Sequence, residues 1–187
     1  METQNTSWRG QRLLLFGFSL LSVLLAWSCL NPFAPALDDG SLAADLITEQ
    51  LTPDEALTNF KYAYIFRDSL LYANVLDSAF VFQYFDPEQG ASGIFVSWTR
   101  ETDLRATGQL LRTFDSINLE WLNTVRTDTV RNGRDEIKNI SLSKSFQLDL
   151  VSGAFRFSAS GFADFIFRQN KSDGKWRIVL WVDKSTS

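Results

Sequence analysis

Tyr64, Asp149 and Asp164 are the residues of this 187-residue chain whose types suit proton-transfer chemistry. A carboxylate base and a phenol donor work together when apolar surroundings raise the carboxylate's proton affinity. Spacing places neither acid clearly in such surroundings. Asp164 falls on the parity opposite Phe155, Phe157, Phe165 and Phe167, and Asp149 alternates with Leu148 and Leu150. Aspartate is seldom buried unless paired, so the plainer reading of both is a solvated or ion-paired strand carboxylate. The sequence contains no histidine, which removes every imidazole base, proton shuttle and metal ligand. It also has no Gly-rich phosphate loop, no paired-cysteine metal spacing and no Gly-x-Ser-x-Gly elbow. No cofactor and no metal are expected. Trp98, Trp121, Trp176 and Trp181 could wall a pocket for an apolar or sugar-like ligand, or could simply be core. The candidate pocket residues are therefore Tyr64, Trp98, Trp121, Asp164 and Trp181. A formal net charge of −4 gives no electrostatic reason to bind nucleic acid.

These residues need a scaffold, and with 45% hydrophobic and 21% charged residues the chain can build one. Thr52-Pro53-Asp54-Glu55 forms a capping box with proline at the first helical position, which predicts a helix start. Leu57, Phe60 and Tyr64 then share one helical face. Asp68 predicts the cap of a short second helix over Ser69 to Leu76, and Ala79 to Phe85 reads as a strand closed by Asp86-Pro87. Helical spacing returns from Ser97 to Ser116, where Arg100, Arg105 and Arg112, interleaved with Glu101 and Asp103, read as a solvated face. From Ile117 onward the period is two: Ile117, Leu119 and Trp121, then Ile140, Leu142, Phe146, Leu148 and Leu150, with Asp128 to Glu136 as the connection. Phe155 to Phe167 keeps one apolar parity throughout. The last strand, Lys175 to Asp183, places Trp176, Ile178, Leu180 and Val182 on one face and Arg177, Val179, Trp181 and Asp183 on the other. Helices first and meandering strands last predict an α+β domain, helices packed on a curved antiparallel sheet, over residues 52–187.

Ahead of the domain, Met1 to Arg12 is polar with Arg9 and Arg12, and Leu13 to Trp27 is an apolar run of 15 residues. The run is shorter than the ~20 residues of a membrane-spanning helix, although extending it through Leu30 allows an uncleaved anchor. It reads as the n-region and h-region of an export signal, residues 1–28. Cys29, the single cysteine of the chain, follows at once. Leu25-Ala26-Trp27-Ser28-Cys29 resembles the lipobox of bacterial lipoproteins, with Ser28 in place and Ala26 and Trp27 departing from the usual residues. The resemblance implies lipidation of Cys29 and a membrane anchor in the cell envelope, facing the periplasm or exterior. Ala26 and Ser28 equally fit an ordinary secretory cleavage and release as a soluble protein. Residues 29–51, with Pro32, Pro35 and Gly40, read as a tether.

The element order, together with Thr52-Pro53-Asp54-Glu55, Tyr62-Ala63-Tyr64, Arg67-Asp68, Leu76-Asp77, Phe80-Val81-Phe82, Asp86-Pro87, Trp98, Trp176-Arg177-Ile178, Trp181 and Asp183, resembles envelope lipoproteins with a nuclear transport factor 2-like domain, the cystatin-like cone shared with ketosteroid isomerase. The resemblance covers residues 51–183. It implies a cone that binds a small apolar ligand or a protein partner without catalysis, and a sheet face that can form a homodimer. The alternative it implies is an isomerase or hydratase using Asp and Tyr.

Overall fold

The computed structural model describes residues 45–90, 92–132 and 136–186, so the expected signal segment, Cys29 and most of the expected tether lie outside the described residues. Helix α1 (Pro53–Ile65) begins where the capping box places it: Glu55 N–H donates to Thr52 Oγ1 at 3.2 Å, and Glu55 Oε2 accepts from Leu51 N–H at 2.7 Å. Order extends upstream of Thr52, into the end of the expected tether. Thr48 N–H donates to Asn59 Oδ1 at 2.8 Å, Asn59 Nδ2 donates to Gln50 Oε1 at 3.1 Å, and Gln50 Nε2 donates to the Trp176 carbonyl at 3.1 Å. These buried amides satisfy one another, which is what allows polar side chains to sit inside.

After α1 come α2 (Ser69–Val75), capped by the Asp68 carboxylate, then strand β1 (Leu76–Asp86) and strand β2 (Ile94–Thr99). Helix α3 (Arg100–Thr113) is followed by β3 (Ser116–Asn132), β4 (Glu136–Ser152), β5 (Phe155–Gln169) and β6 (Trp176–Thr186). One sheet runs in the order β2-β1-β6-β5-β4-β3. All neighbours are antiparallel except β1 and β6, which are parallel, so the expected antiparallel sheet carries one parallel pair, between its second and third strands.

Three further expectations are corrected. The segment from Ser97 is a strand before it is a helix, because Val96 and Trp98 add an edge to β1 opposite Tyr84 and Phe82, and α3 starts only after Thr99. The connection expected over Asp128 to Glu136 is shorter, since β3 continues to Asn132 and β4 starts at Glu136. In β6, Phe167 pairs with Ile178 but Ile166 pairs with Leu180, so Val179 is a bulge. A bulge shifts parity by one residue. Trp181 and Asp183 therefore join Trp176 and Ile178 on the helix-facing side, and Leu180 and Val182 turn outward.

Helices α1, α2 and α3 cover the concave side of the sheet, and the core lies between them. Phe60 is its centre: it stacks on Tyr64 at 5.0 Å between ring centroids and meets Tyr72, Trp181 and Trp121 edge-on at 5.2, 5.4 and 5.5 Å. Phe80, Phe165, Phe167 and Ile178 complete it, each at most 2% exposed. The β1–β2 hairpin depends on Gly93, whose φ is +72° and where a Cβ would lie 2.3 Å from the Phe85 ring.

Candidate functional site

Two places in the domain gather chemistry-bearing side chains, one on each side of the sheet. On the concave side, α1 contributes Tyr64, α2 Tyr72, β2 Trp98 and α3 Asp103 and Thr107. Asp103 is only 2% exposed. Its two oxygens are both used: Tyr72 O–H donates to Oδ2 at 2.6 Å and Trp98 Nε1–H donates to Oδ1 at 3.1 Å. Burial pushes the carboxyl above the usual carboxylate range, and the bonds from Tyr72 and Trp98 offset part of that. Burial also pushes Tyr64 well up, with the Asp103 charge adding to it and hydrogen bonds with Thr107 and Tyr72 opposing. Tyr72 rises for the same reasons, burial first and then the neighbouring Tyr64 and Asp103. The three helices and β2 are thus tied together by one polar network under the aromatic core.

Asp103 is the residue that sequence reasoning missed, having been assigned to a solvated face. Its signal was present: counting back from Leu111 by fours gives Thr107 and Asp103, and all three are buried. An acid in the first turn of a helix also lies in the favourable field of the helix amides. Arg100, expected on the same solvated face, instead donates from Nη2 to the Ala73 carbonyl at 2.8 Å, satisfying the end of α2.

The structure brings Tyr64, Trp121 and Trp181 together around one small apolar cavity of about 30 Å³, whose lining also includes Phe60, Leu119, Phe146 and Leu148. Trp98 sits beside Asp103 and stacks on Phe82 at 4.7 Å, outside that lining. Trp121 Nε1 donates to the Leu57 carbonyl at 2.8 Å, whereas the buried Trp181 Nε1 has no partner among the described residues. Asp103 does not line the cavity. A space of this size holds about one water molecule, far below the ~300 Å³ at which small-molecule pockets begin.

Asp164 lies on the other side of the sheet. There, Arg126, Asp128, Ser141, Ser143, Asp164, Leu180 and Val182 surround an open hollow of about 280 Å³. Burial draws the Asp164 carboxyl upward, but hydrogen bonds from Lys184 and from Ser143 at 2.5 Å outweigh it and hold the group below its usual range. Arg126 pairs with Asp128 at 2.5 Å. Asp149 is on this outer side too, accepting from Ser158 Oγ at 2.5 Å and Gln147 Nε2 at 3.1 Å. The charges of this face are thus largely satisfied among themselves. Among the described residues, no group of three Asp, Glu, Cys or His side chains converges as metal ligands would.

Solved structures share this fold. A conserved protein from Planctomyces limnophilus superposes with a TM-score of 0.58 at 15% identity, covering 78% of this chain and 98% of that one. The β subunit of a putative aromatic-ring-hydroxylating dioxygenase from Novosphingobium aromaticivorans gives 0.55 at 10% identity over 79% and 92% of the two chains. LinA gives 0.53 at 14% identity over 80% and 90%. The fold is the cystatin-like, nuclear transport factor 2-like cone. Identities this low speak for the cone and not for a shared activity. No protein-family model matches the sequence, and no curated protein matches it.

Proposed function

We propose that the chain is exported, is anchored to a membrane of the cell envelope through a lipid on Cys29, and uses its cone as a non-catalytic module that docks a protein partner on the sheet side. The observation that carries the docking part is the filled interior. Phe60, Trp121, Trp181 and their neighbours leave about 30 Å³, and the one deeply buried carboxylate near them, Asp103, spends both oxygens on Tyr72 and Trp98. A base needs a free oxygen within reach of a substrate proton. The outer sheet face, in contrast, is open and partly apolar.

The anchoring part is supported by the apolar run that ends at the only cysteine, since an exported chain has little use for one unpaired thiol at that place. It has a direct test. In cells fed radiolabelled palmitate, the wild-type chain is expected to carry label and fractionate with membranes, and Cys29→Ser to lose both. Equal labelling of the two chains would refute it.

A second reading, binding of a small apolar ligand, draws on the orphan indole N–H of Trp181 beside the aromatic cavity. It requires Trp121 or Trp181 to swing aside and enlarge the space about tenfold to reach the usual pocket size.

A further inference from the structure

The hollow on the outer side of the sheet is built by two adjacent rungs of side chains whose order across the strands is regular. One rung runs Asp128, Ser141, Ile166, Leu180 from β3 to β6, and the next runs Arg126, Ser143, Asp164, Val182. Alternate residues of a strand share a face, so both rungs point outward together. With Leu142 and Phe165 they line about 280 Å³, and all of them are described residues. The middle of the hollow is low because both β4 positions are serines. Its two sides differ in chemistry. Toward β5 and β6, the half-buried Ile166, Leu180 and Val182 offer aliphatic surface. Toward β3 and β4 stand two hydroxyls, a guanidinium and a carboxylate. The charges cancel in place: Arg126 holds Asp128 at 2.5 Å, and Lys184 holds Asp164. Neither an anion nor a cation is therefore favoured. The polar groups are also fixed in direction. Ser143 gives its one proton to Asp164 at 2.5 Å, so toward a ligand it can only accept. A carboxylate oxygen that has accepted one bond keeps a second lone pair, and a guanidinium carries five donors in all.

We propose that this hollow binds a short neutral saccharide, its C–H face on Ile166, Leu180 and Val182 and its hydroxyls on Ser143, Asp164 and the Arg126–Asp128 pair. A sugar ring is the small molecule that this pattern fits. It is apolar on the face of its C–H groups, its hydroxyl edge both donates and accepts, and it carries no charge. The volume lies at the lower end of small-molecule sites, enough for a short saccharide. The inference goes beyond the docking of a protein, and it leaves the interior of the cone filled. Side chains already held by their ion pairs lose little freedom when a ligand arrives, which favours binding. An open hollow leaves much of the ligand in water, so the expected Kd is on the order of 1 mM, and the sugar washes out when the protein is desalted. The same ring chemistry is offered by a free disaccharide and by the chains of a cell-wall polymer.

The test uses the full chain in a detergent without a sugar headgroup. Saturation transfer from protein to ligand protons is measured by NMR for maltose, cellobiose and the disaccharide of N-acetylglucosamine. At least one of them is expected to receive it, with a Kd below about 10 mM. Ser143→Phe fills the low middle of the hollow with a side chain that strands favour, and is expected to weaken that binding at least tenfold. Ser141→Phe fills it from the adjoining rung with the same expected loss, so the test survives if one of the two variants does not fold. Co-sedimentation with washed cell-wall polymer, lost in the filled variants, would assign the chain-bound source. Disaccharide binding without co-sedimentation would assign the free one. Sugar binding that is unchanged in a filled variant melting like wild type would place the sugar elsewhere and overturn the proposal. The absence of both transfer and co-sedimentation would overturn it too, and would leave the docking of a protein on this side of the sheet standing.

Discussion

Phe60→Ala is expected to lower the stability of the domain by about 3–5 kcal/mol, the range for deleting a fully buried aromatic ring. Phe60 is 0% exposed and is the ring that the others share: Tyr64, Tyr72, Trp121, Trp181 and Phe165 all pack against it. Those five neighbours come from α1, α2, β3, β6 and β5, so they cannot collapse together to fill the gap without moving the elements that carry them. The loss is a fifth or more of the ~5–15 kcal/mol that holds a domain folded, which makes denaturant unfolding the right readout. The variant has a second expected property. The missing ring merges with the small cavity beside it, and an apolar cavity of that kind takes up benzene-sized molecules. Addition of benzene is expected to raise the melting temperature of Phe60→Ala and leave the wild type unchanged. A Phe60→Ala chain as stable as wild type would mean that the interior is not packed around this ring.

Asp103 gives the second large effect, and its pH dependence has an unusual sign. In the folded chain burial raises its pKa above the ordinary 3.8. A raised folded pKa means that the folded state holds its proton more tightly than the unfolded chain does. The contribution to stability is then fully present below the unfolded pKa and is lost as pH rises through the folded pKa. Most carboxylates do the reverse. Asp164, held low by Lys184 and Ser143, is one of them, and its contribution is lost as pH falls. The two are separated by a difference measurement. Asp103→Asn keeps the shape, accepting from Trp98 while Tyr72 rotates to accept from the new amide, and its stability relative to wild type is expected to improve as pH rises from about 4. Tyr72→Phe leaves Oδ2 of a buried carboxylate without its donor and is expected to cost about 1–3 kcal/mol at neutral pH. The double variant Tyr72→Phe with Asp103→Leu, which removes both ends of the bond, is expected to recover much of that loss. Additive losses in the double variant would show that Tyr72 and Asp103 are not coupled.

Much of this architecture is legible before any coordinates, for identifiable reasons. Helix α1 announces itself through Thr52 and Glu55, because a capping box is a local device whose partners lie three residues apart. Strand β5 is legible because one parity holds over its whole length. The features that escaped are those set by distant partners. The bulge at Val179 exists to let β6 match β5 on one side and β1 on the other, and nothing in Lys175 to Asp183 marks it; it reversed the facing of Trp181. Strand β2 is six residues that are stranded only because β1 lies alongside. Asp103 looked like a surface acid because three arginines share its helix, and its burial depends on Tyr72 and Trp98, which are 31 and 5 residues away in sequence. Of the expected pocket residues, Tyr64, Trp121 and Trp181 meet, Trp98 serves Asp103 instead, and Asp164 belongs to the opposite side of the sheet, as its parity against the phenylalanines already implied.

A cone that acts with its interior filled carries no small molecule inside it. Native mass spectrometry of the full chain, released gently from detergent and compared with its denatured mass, tests it most directly. A lipid on Cys29 is covalent and adds to both masses equally. Native and denatured masses are expected to agree, with nothing else carried. A reproducible adduct of small-molecule mass, present in the native spectrum and gone after denaturation, would contradict it and make the aromatic cavity around Tyr64, Trp121 and Trp181 a ligand site.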